Sequence, residues 1–274
     1  MTRRLLPTVL AAALSIPVLA APALGQHEDF HWDKALAAGN EVSIHNINGD
    51  IKVMPSTNGH VTVSGFKHGS SRDTEHLKTE VHESSRGISV CVLYDDADSY
   101  CDEDGMHMHS RRGNNRDWND GRMDLEVSVP ANLLVSAGSV SGDIEINGAH
   151  GDVEASSVSG DVHMTHLHAA GITAHSVSGD IDVSADELAD RGDLHFNTVS
   201  GDVTLNLPAG LDADLSMSTV SGDIDSDFPL TLGNGRVSRR GMNARIGKGG
   251  RRLDVRTVSG DLRLRSPNGN ARRN

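Results

Sequence analysis

Apolar residues alternate with polar ones in short runs through the second half of the chain. One set of pairs is Ile144 and Ile146, Val162 and Met164, Ile181 and Val183, Val203 and Leu205. A second set is Val153 and Ala155, Ile172 and Ala174, Leu194 and Phe196, Leu215 and Met217, Leu253 and Val255. Alternation with a period of two predicts strands with one buried face. Polar linkers such as 147–151 and 186–192 separate the runs and read as loops.

The first set follows a recurring segment, [Ser/Thr]-Val-Ser-Gly-Asp-[Ile/Val/Leu]. It occurs at Ser139–Ile144, Ser157–Val162, Ser176–Ile181, Thr198–Val203, Thr219–Ile224 and Thr257–Leu262. Successive copies start 18, 19, 22, 21 and 38 residues apart. A period near 20 residues signals stacked supersecondary units, and 38 reads as two periods with a degenerate coil between. A single such strand cannot bury its face. Equivalent strands stacked about 4.8 Å apart can, and they run parallel if each comes from the same place in successive coils. The expected fold is therefore all-β: a single-chain parallel β-solenoid with coils of about 20 residues and a less regular N-terminal part. In each motif Gly fits a tight corner, Asp can accept from nearby backbone N–H groups, and the first Ser or Thr can join a hydroxyl ladder.

The N-terminal part predicts strands at 41–45, 60–66, 77–83, 87–93 and 123–129, with a relaxed motif copy at 46–51. Trp32 is positioned to plug an open end, which a solenoid needs. Residues 95–121 are rich in Gly, Asn, Asp and Arg and predict a long mobile loop. Arg3 and Arg4, the apolar run Leu5–Leu19 and the small residues before Gly25 predict a signal peptide. The expected organisation is a signal peptide over 1–25, an N-terminal β region over 26–135, the repetitive solenoid over 136–266 and a disordered basic tail over 267–274.

Composition sharpens this picture. Aromatics are only 3% of the chain, which suits a thin interior of Val, Ile, Leu and Ala. The formal net charge is −13, but it is divided. From Arg236 onward, eleven Arg and Lys248 face only Asp254 and Asp261, giving +10 against −23 for the remainder. Such a charge dipole suits an anionic surface met end-on, or head-to-tail stacking. Cys91 and Cys101 are the only cysteines, and after export they are expected to form one disulfide.

The repeats, the opening Asn48-Gly49-Asp50-Ile51-Lys52-Val53, and Gly249-Gly250 leading into Leu253–Leu264 resemble the bacterial putative-adhesin family of β-strand-repeat proteins, a domain of unknown function. The resemblance covers nearly all of the chain beyond the signal peptide. It implies an extracytoplasmic, surface-associated β-solenoid and supplies no catalytic residues.

Four groups of residues are candidates for chemistry. Asp143, Asp161, Asp180, Asp202, Asp223 and Asp261 would form a carboxylate edge that Ca²⁺ could bridge, although turn capping accounts for them without a metal. His163, His166 and His168, and His107 and His109 beside Met106 and Met108, are close enough in sequence to chelate Zn²⁺ or Cu²⁺. A solvated polar surface accounts for them as well. The motif Ser recurs six times, whereas a nucleophile would be singular and paired with a placed His. Arg236, Arg239, Arg240, Arg245, Lys248, Arg251 and Arg252 could meet phosphate-bearing envelope polymers. They lack the aromatic platforms of a nucleic-acid site. The reading is a non-enzymatic extracytoplasmic scaffold or adhesin-like binding protein of the bacterial cell envelope (periplasm, secreted or cell surface), with no cofactor, metal or catalytic residues and no transmembrane segment. Its partner would be an envelope polymer or protein. The alternatives are a polysaccharide-active β-helix enzyme and a metal-responsive envelope protein.

Overall fold

The structure is a computed structural model and describes residues 27–95, 99–107, 121–232, 237–238 and 240–267. The expected signal peptide, residues 96–98 and 108–120 of the polar loop, and all but the first residue of the expected tail lie outside the described residues. So do Met108, His109, Arg236 and Arg239.

The fold is all-β, with a single turn of helix at Ser71–Thr74 among the described residues. Its strands join in a 21-stranded mixed sheet that folds back on itself. A coil consists of one strand, a corner built from the motif, and a second strand. The strands before the corner stack in one ladder and those after it in another.

Alternation places the core. In the first ladder Val42, Val135, Val153, Ile172, Leu194, Leu253 and Leu215 form one inward column. Ile44, Ala137, Ala155, Ala174, Phe196, Val255 and Met217 form the next. The second ladder faces them with Leu125, Ile51, Ile144, Val162, Ile181, Val203, Leu262 and Ile224. All of these residues except Ile224 are buried. The N-terminal part supplies a full coil to these ladders, because Glu41–Asn48 and Ile51–Pro55 stack directly on Leu134–Ser141 and Ile144–Asn147.

Two expectations need correction. First, the ladders are not parallel throughout. Their interiors are parallel, but both ends turn antiparallel. At one end Leu77–Glu83 pairs antiparallel with Gly87–Tyr94, Val61–His68 with Arg122–Val129, and Phe30–Lys34 with Val61–His68. At the other end Gly241–Ile246 pairs antiparallel with Ala213–Ser218, Leu230–Thr231 and Val237–Ser238. Among the described residues no degenerate coil lies between Thr219–Ile224 and Thr257–Leu262. The chain there builds this closing hairpin. A stack of parallel coils ends in open strand edges that invite further pairing, and a short antiparallel return covers an edge without a crossover. Trp32 packs against the core from the outermost strand at the N-terminal end.

Second, the coils do not stack in sequence order. Coil 251–265 lies between coil 194–206 and coil 213–226: Leu194 and Leu215 both pair with Leu253, and Val203 and Ile224 both pair with Leu262.

Candidate functional site

Each letter of the motif but two is consumed by the stacking of one coil on the next. The first Ser or Thr is buried and donates its hydroxyl to a glycine carbonyl in the adjacent coil: Thr198 Oγ1 to Gly179 at 3.0 Å, Thr257 to Gly201 at 3.1 Å, Thr219 to Gly260 at 3.1 Å. The hydroxyls thus climb through backbone carbonyls and do not bond to one another. Asn46 takes this place in the first coil, donating its amide to Gly49 O at 3.0 Å and Met123 O at 2.7 Å.

The motif glycine leaves no room for a side chain, since a Cβ on Gly179 or Gly201 would sit 2.1 Å from the carbonyl oxygen of the next corner. The motif aspartates form a carboxylate ladder. Oδ1 of Asp143 accepts the N–H of Asp161, Asp161 that of Asp180, Asp180 that of Asp202, and Asp202 that of Asp261, each at 2.8 Å. Asp124, Asp50 and Asp223 extend the ladder at 2.9–3.0 Å. Backbone donors thus offset the repulsion of stacked carboxylates. Arg263 bridges Asp202 and Asp261, both at 2.7 Å. The Asp261 N–H, and then Arg263, hold the Asp202 carboxyl below its ordinary pKa.

The letters left over are Val and the second Ser, and both point outward. In spatial order the valines are Val140, half-buried, then Val158, Val177, Val199 and Val258, each 49% exposed, and Val220, 64% exposed. Ser159, Ser178, Ser200, Ser259 and Ser221 are exposed beside them. The outcome is a ridge of methyl groups flanked by hydroxyls, repeating about every 4.8 Å. The alternation signal could have exposed it earlier: the Val precedes the corner by an odd step from the core positions.

The Toastrack DUF4097 family model matches residues 41–265, from the first coil to the last. The chain belongs to the Toastrack family. The family resemblance read from the repeats therefore holds. Among solved structures, a putative cell adhesion protein from Clostridium sporogenes is 7% identical with a TM-score of 0.48, covering 86% of this chain and 99% of that one. A putative adhesin from Bacteroides fragilis is 12% identical with a TM-score of 0.41, covering 86% and 96%. No curated protein matches the sequence.

Away from the ridge, this Toastrack chain carries a small hairpin, Tyr100–Asp102 with Gly105–His107, on the outer face of the first ladder. Cys101 of the hairpin is bonded to Cys91 in strand Gly87–Tyr94, with 5.9 Å between Cα atoms. The rings of Tyr100 and His107 stack at 4.7 Å, and His107 bonds Asp102 at 3.0 Å. The hairpin lies over His45, whose Nε2 is 2.9 Å from Ser43 Oγ. A Cβ on Gly105 would meet that nitrogen at 2.5 Å.

Burial, and secondarily His107, push the His45 pKa below its usual value. The folded protein thus favours neutral His45, a contribution present above the unfolded pKa near 6.5 and lost as pH falls below it. We expect amide protection factors in 99–107 to fall between pH 7.5 and 5.5, and His45→Gln to flatten that step. Unchanged protection in the parent would disprove the coupling.

The remaining candidates are dispersed. His163, His166 and His168 are all exposed; His166 sits at a bulge with φ of 54°, and His168 stacks on His150 at 4.7 Å, 3.5 Å from Glu187. No group of three His, Cys, Asp or Glu among the described residues is arranged to hold a metal ion. Of the basic residues, Arg245 pairs with Asp214 at 3.0 Å, and the Lys248 N–H binds Asp212 at 2.7 Å. Arg251 is buried and donates to the Ala189 carbonyl, while Arg240 and Arg252 are exposed. No helix among the described residues is long and apolar enough to cross a membrane.

Proposed function

We propose that this chain is a non-enzymatic, extracytoplasmic scaffold with an adhesin-like binding role in the bacterial cell envelope, and that it binds through the valine ridge. One observation carries the reading. Of the seven large apolar side chains exposed among the described residues, five are motif valines in one column. Isolated exposed apolar residues are ordinary, whereas a contiguous patch marks an interaction surface. The ridge repeats with the coils, so it suits an extended partner that can lie along it, an envelope polymer or a protein strand. The disulfide and the N-terminal signal pattern favour an oxidising compartment outside the cytoplasm.

The test is co-sedimentation of the purified mature chain with insoluble envelope material from the producing bacterium. The ridge variant carries Val158→Thr, Val177→Thr, Val199→Thr, Val258→Thr and Val220→Thr. Thr keeps the β-branched shape and strand propensity, so the thermal midpoint should barely move. Binding should weaken at least about tenfold, or ~1.4 kcal/mol. Unaltered binding by a folded variant would refute the ridge. Release of glycan fragments during incubation would refute the non-enzymatic reading.

A further inference from the structure

The order of the last three coils poses a selection problem. The corner code cannot set it. Thr198–Val203, Thr219–Ile224 and Thr257–Leu262 carry the same letters, and each corner bonds only to the corner beside it. If coil 213–226 stacked on coil 194–206, and coil 251–265 followed, every hydroxyl-to-carbonyl and Asp-to-N–H bond would have an equivalent. Yet the last coil in sequence lies inside, and the earlier one outside.

The side chains beside the corners do distinguish the coils. Coil 251–265 carries five Arg and two Asp. Coil 213–226 carries three Asp and no base, and coil 194–206 one Asp and neither Lys nor Arg. The observed order puts the basic coil between two acidic ones. Toward coil 194–206, Arg263 reaches Asp202 at 2.7 Å. Toward coil 213–226, Arg265 reaches Asp225 at 2.8 Å and Asp227 at 3.4 Å, a pairing that holds the two coils together and that either order would keep. Asp214 pairs in register with Arg252 on one side and Arg245 on the other. Sequence order would set Arg252 next to Arg245 and bring Asp225 to the place where Arg263 now meets Asp202. The core columns differ in the same sense. Leu264 is fully buried inside the stack, and its counterpart Ser226 is half-buried at the open end.

We infer that coils 213–226 and 251–265 are alternative occupants of one ladder position on coil 194–206, and that Arg252, Arg263 and Leu264 against Asp214, Asp225 and Ser226 select the observed occupant. The position is a binding site for a Thr-Val-Ser-Gly-Asp coil. Basic residues flanking the corner are what it recognises.

Paired cysteines read the order in the full chain. Ser200 is bridged to Ser259 in the observed stack, and Ser221 lies on the far side of Ser259. Ser200→Cys with Ser259→Cys should therefore cross-link fully, and Ser200→Cys with Ser221→Cys should not. Exchanging the selecting residues between the coils, with Arg265 and Asp227 exchanged too so that the two coils still match (Arg252→Asp, Arg263→Asp, Leu264→Ser and Arg265→Asp, with Asp214→Arg, Asp225→Arg, Ser226→Leu and Asp227→Arg), leaves composition unchanged. In that background the first cross-link should be lost and the second gained, mapped by mass spectrometry of the peptides. Retention of the Ser200–Ser259 cross-link in the exchanged chain would show that the connecting hairpin dictates the order, overturning the inference. If the exchanged chain does not fold, Arg263→Gln with Arg252→Gln supplies the reading. Oxidative refolding should then trap more of the Ser200–Ser221 product than the parent does, and no increase would also overturn it.

Discussion

Gly179→Ala is expected to destabilise the protein by about 3 kcal/mol or more, lowering the thermal midpoint by roughly 6–12 °C for a domain of this size. The added Cβ would stand 2.1 Å from the Gly160 carbonyl oxygen and 2.6 Å from its carbon. That carbonyl accepts the Ser176 hydroxyl at 3.2 Å. The clash therefore pushes apart two coils at the point where hydroxyl, glycine and carboxylate ladders converge. The backbone at Gly179 is outside the left-handed region, so steric contact is the cause rather than torsional strain. Gly210→Ala is the control, since nothing lies within 4 Å of its Cβ position. It should be neutral or slightly stabilising. Thermal and urea unfolding of both variants make the comparison, and equal midpoints would contradict the stacked-corner account.

Phe196→Ala should cost roughly 3–5 kcal/mol, chiefly as a lower urea midpoint. Phe196 is the largest fully buried side chain, flanked in its column by Ala174 and Val255. The neighbouring Ala155 and Ala174 leave width that the ring fills. Truncation opens a cavity that stacked strands cannot close, because each coil's position is held by the corner bonds on both sides. An unchanged slope with denaturant would place the loss in the native state. A cost below about 1 kcal/mol would mean that the columns can collapse, contrary to the close packing of protein interiors.

Much of this molecule is legible in its sequence. The alternation at Ile144 and Ile146, or Leu253 and Val255, identified the inward faces. The motif identified the corners, and the copy number identified the family. Strand limits in the N-terminal part, such as Leu77–Glu83, were visible from the same alternation. The antiparallel ends were less legible because Val61–His68 and Gly241–Ile246 alternate just as parallel strands do, and direction leaves no mark on a period of two. The Asp ladder was readable as turn capping, but its donors lie one coil away (18 residues for Asp143 and Asp161) and not within the turn. The valine ridge was hidden for another reason. Valine is an excellent strand former, so strand propensity alone accounts for its repetition.

By itself, the sequence determined the unit: two or three short strands, a glycine corner, and the face that the alternating residues present. These follow from sterics and from a periodicity within some twenty residues. Only the tertiary structure decided the order of the units, the direction of the closing strands, and the side chains that meet between coils. Corners with identical letters bond equally well to one another, so local code leaves their order degenerate. That degeneracy is lifted by contacts such as Arg263 with Asp202, 61 residues apart, which exist only once the coils are stacked.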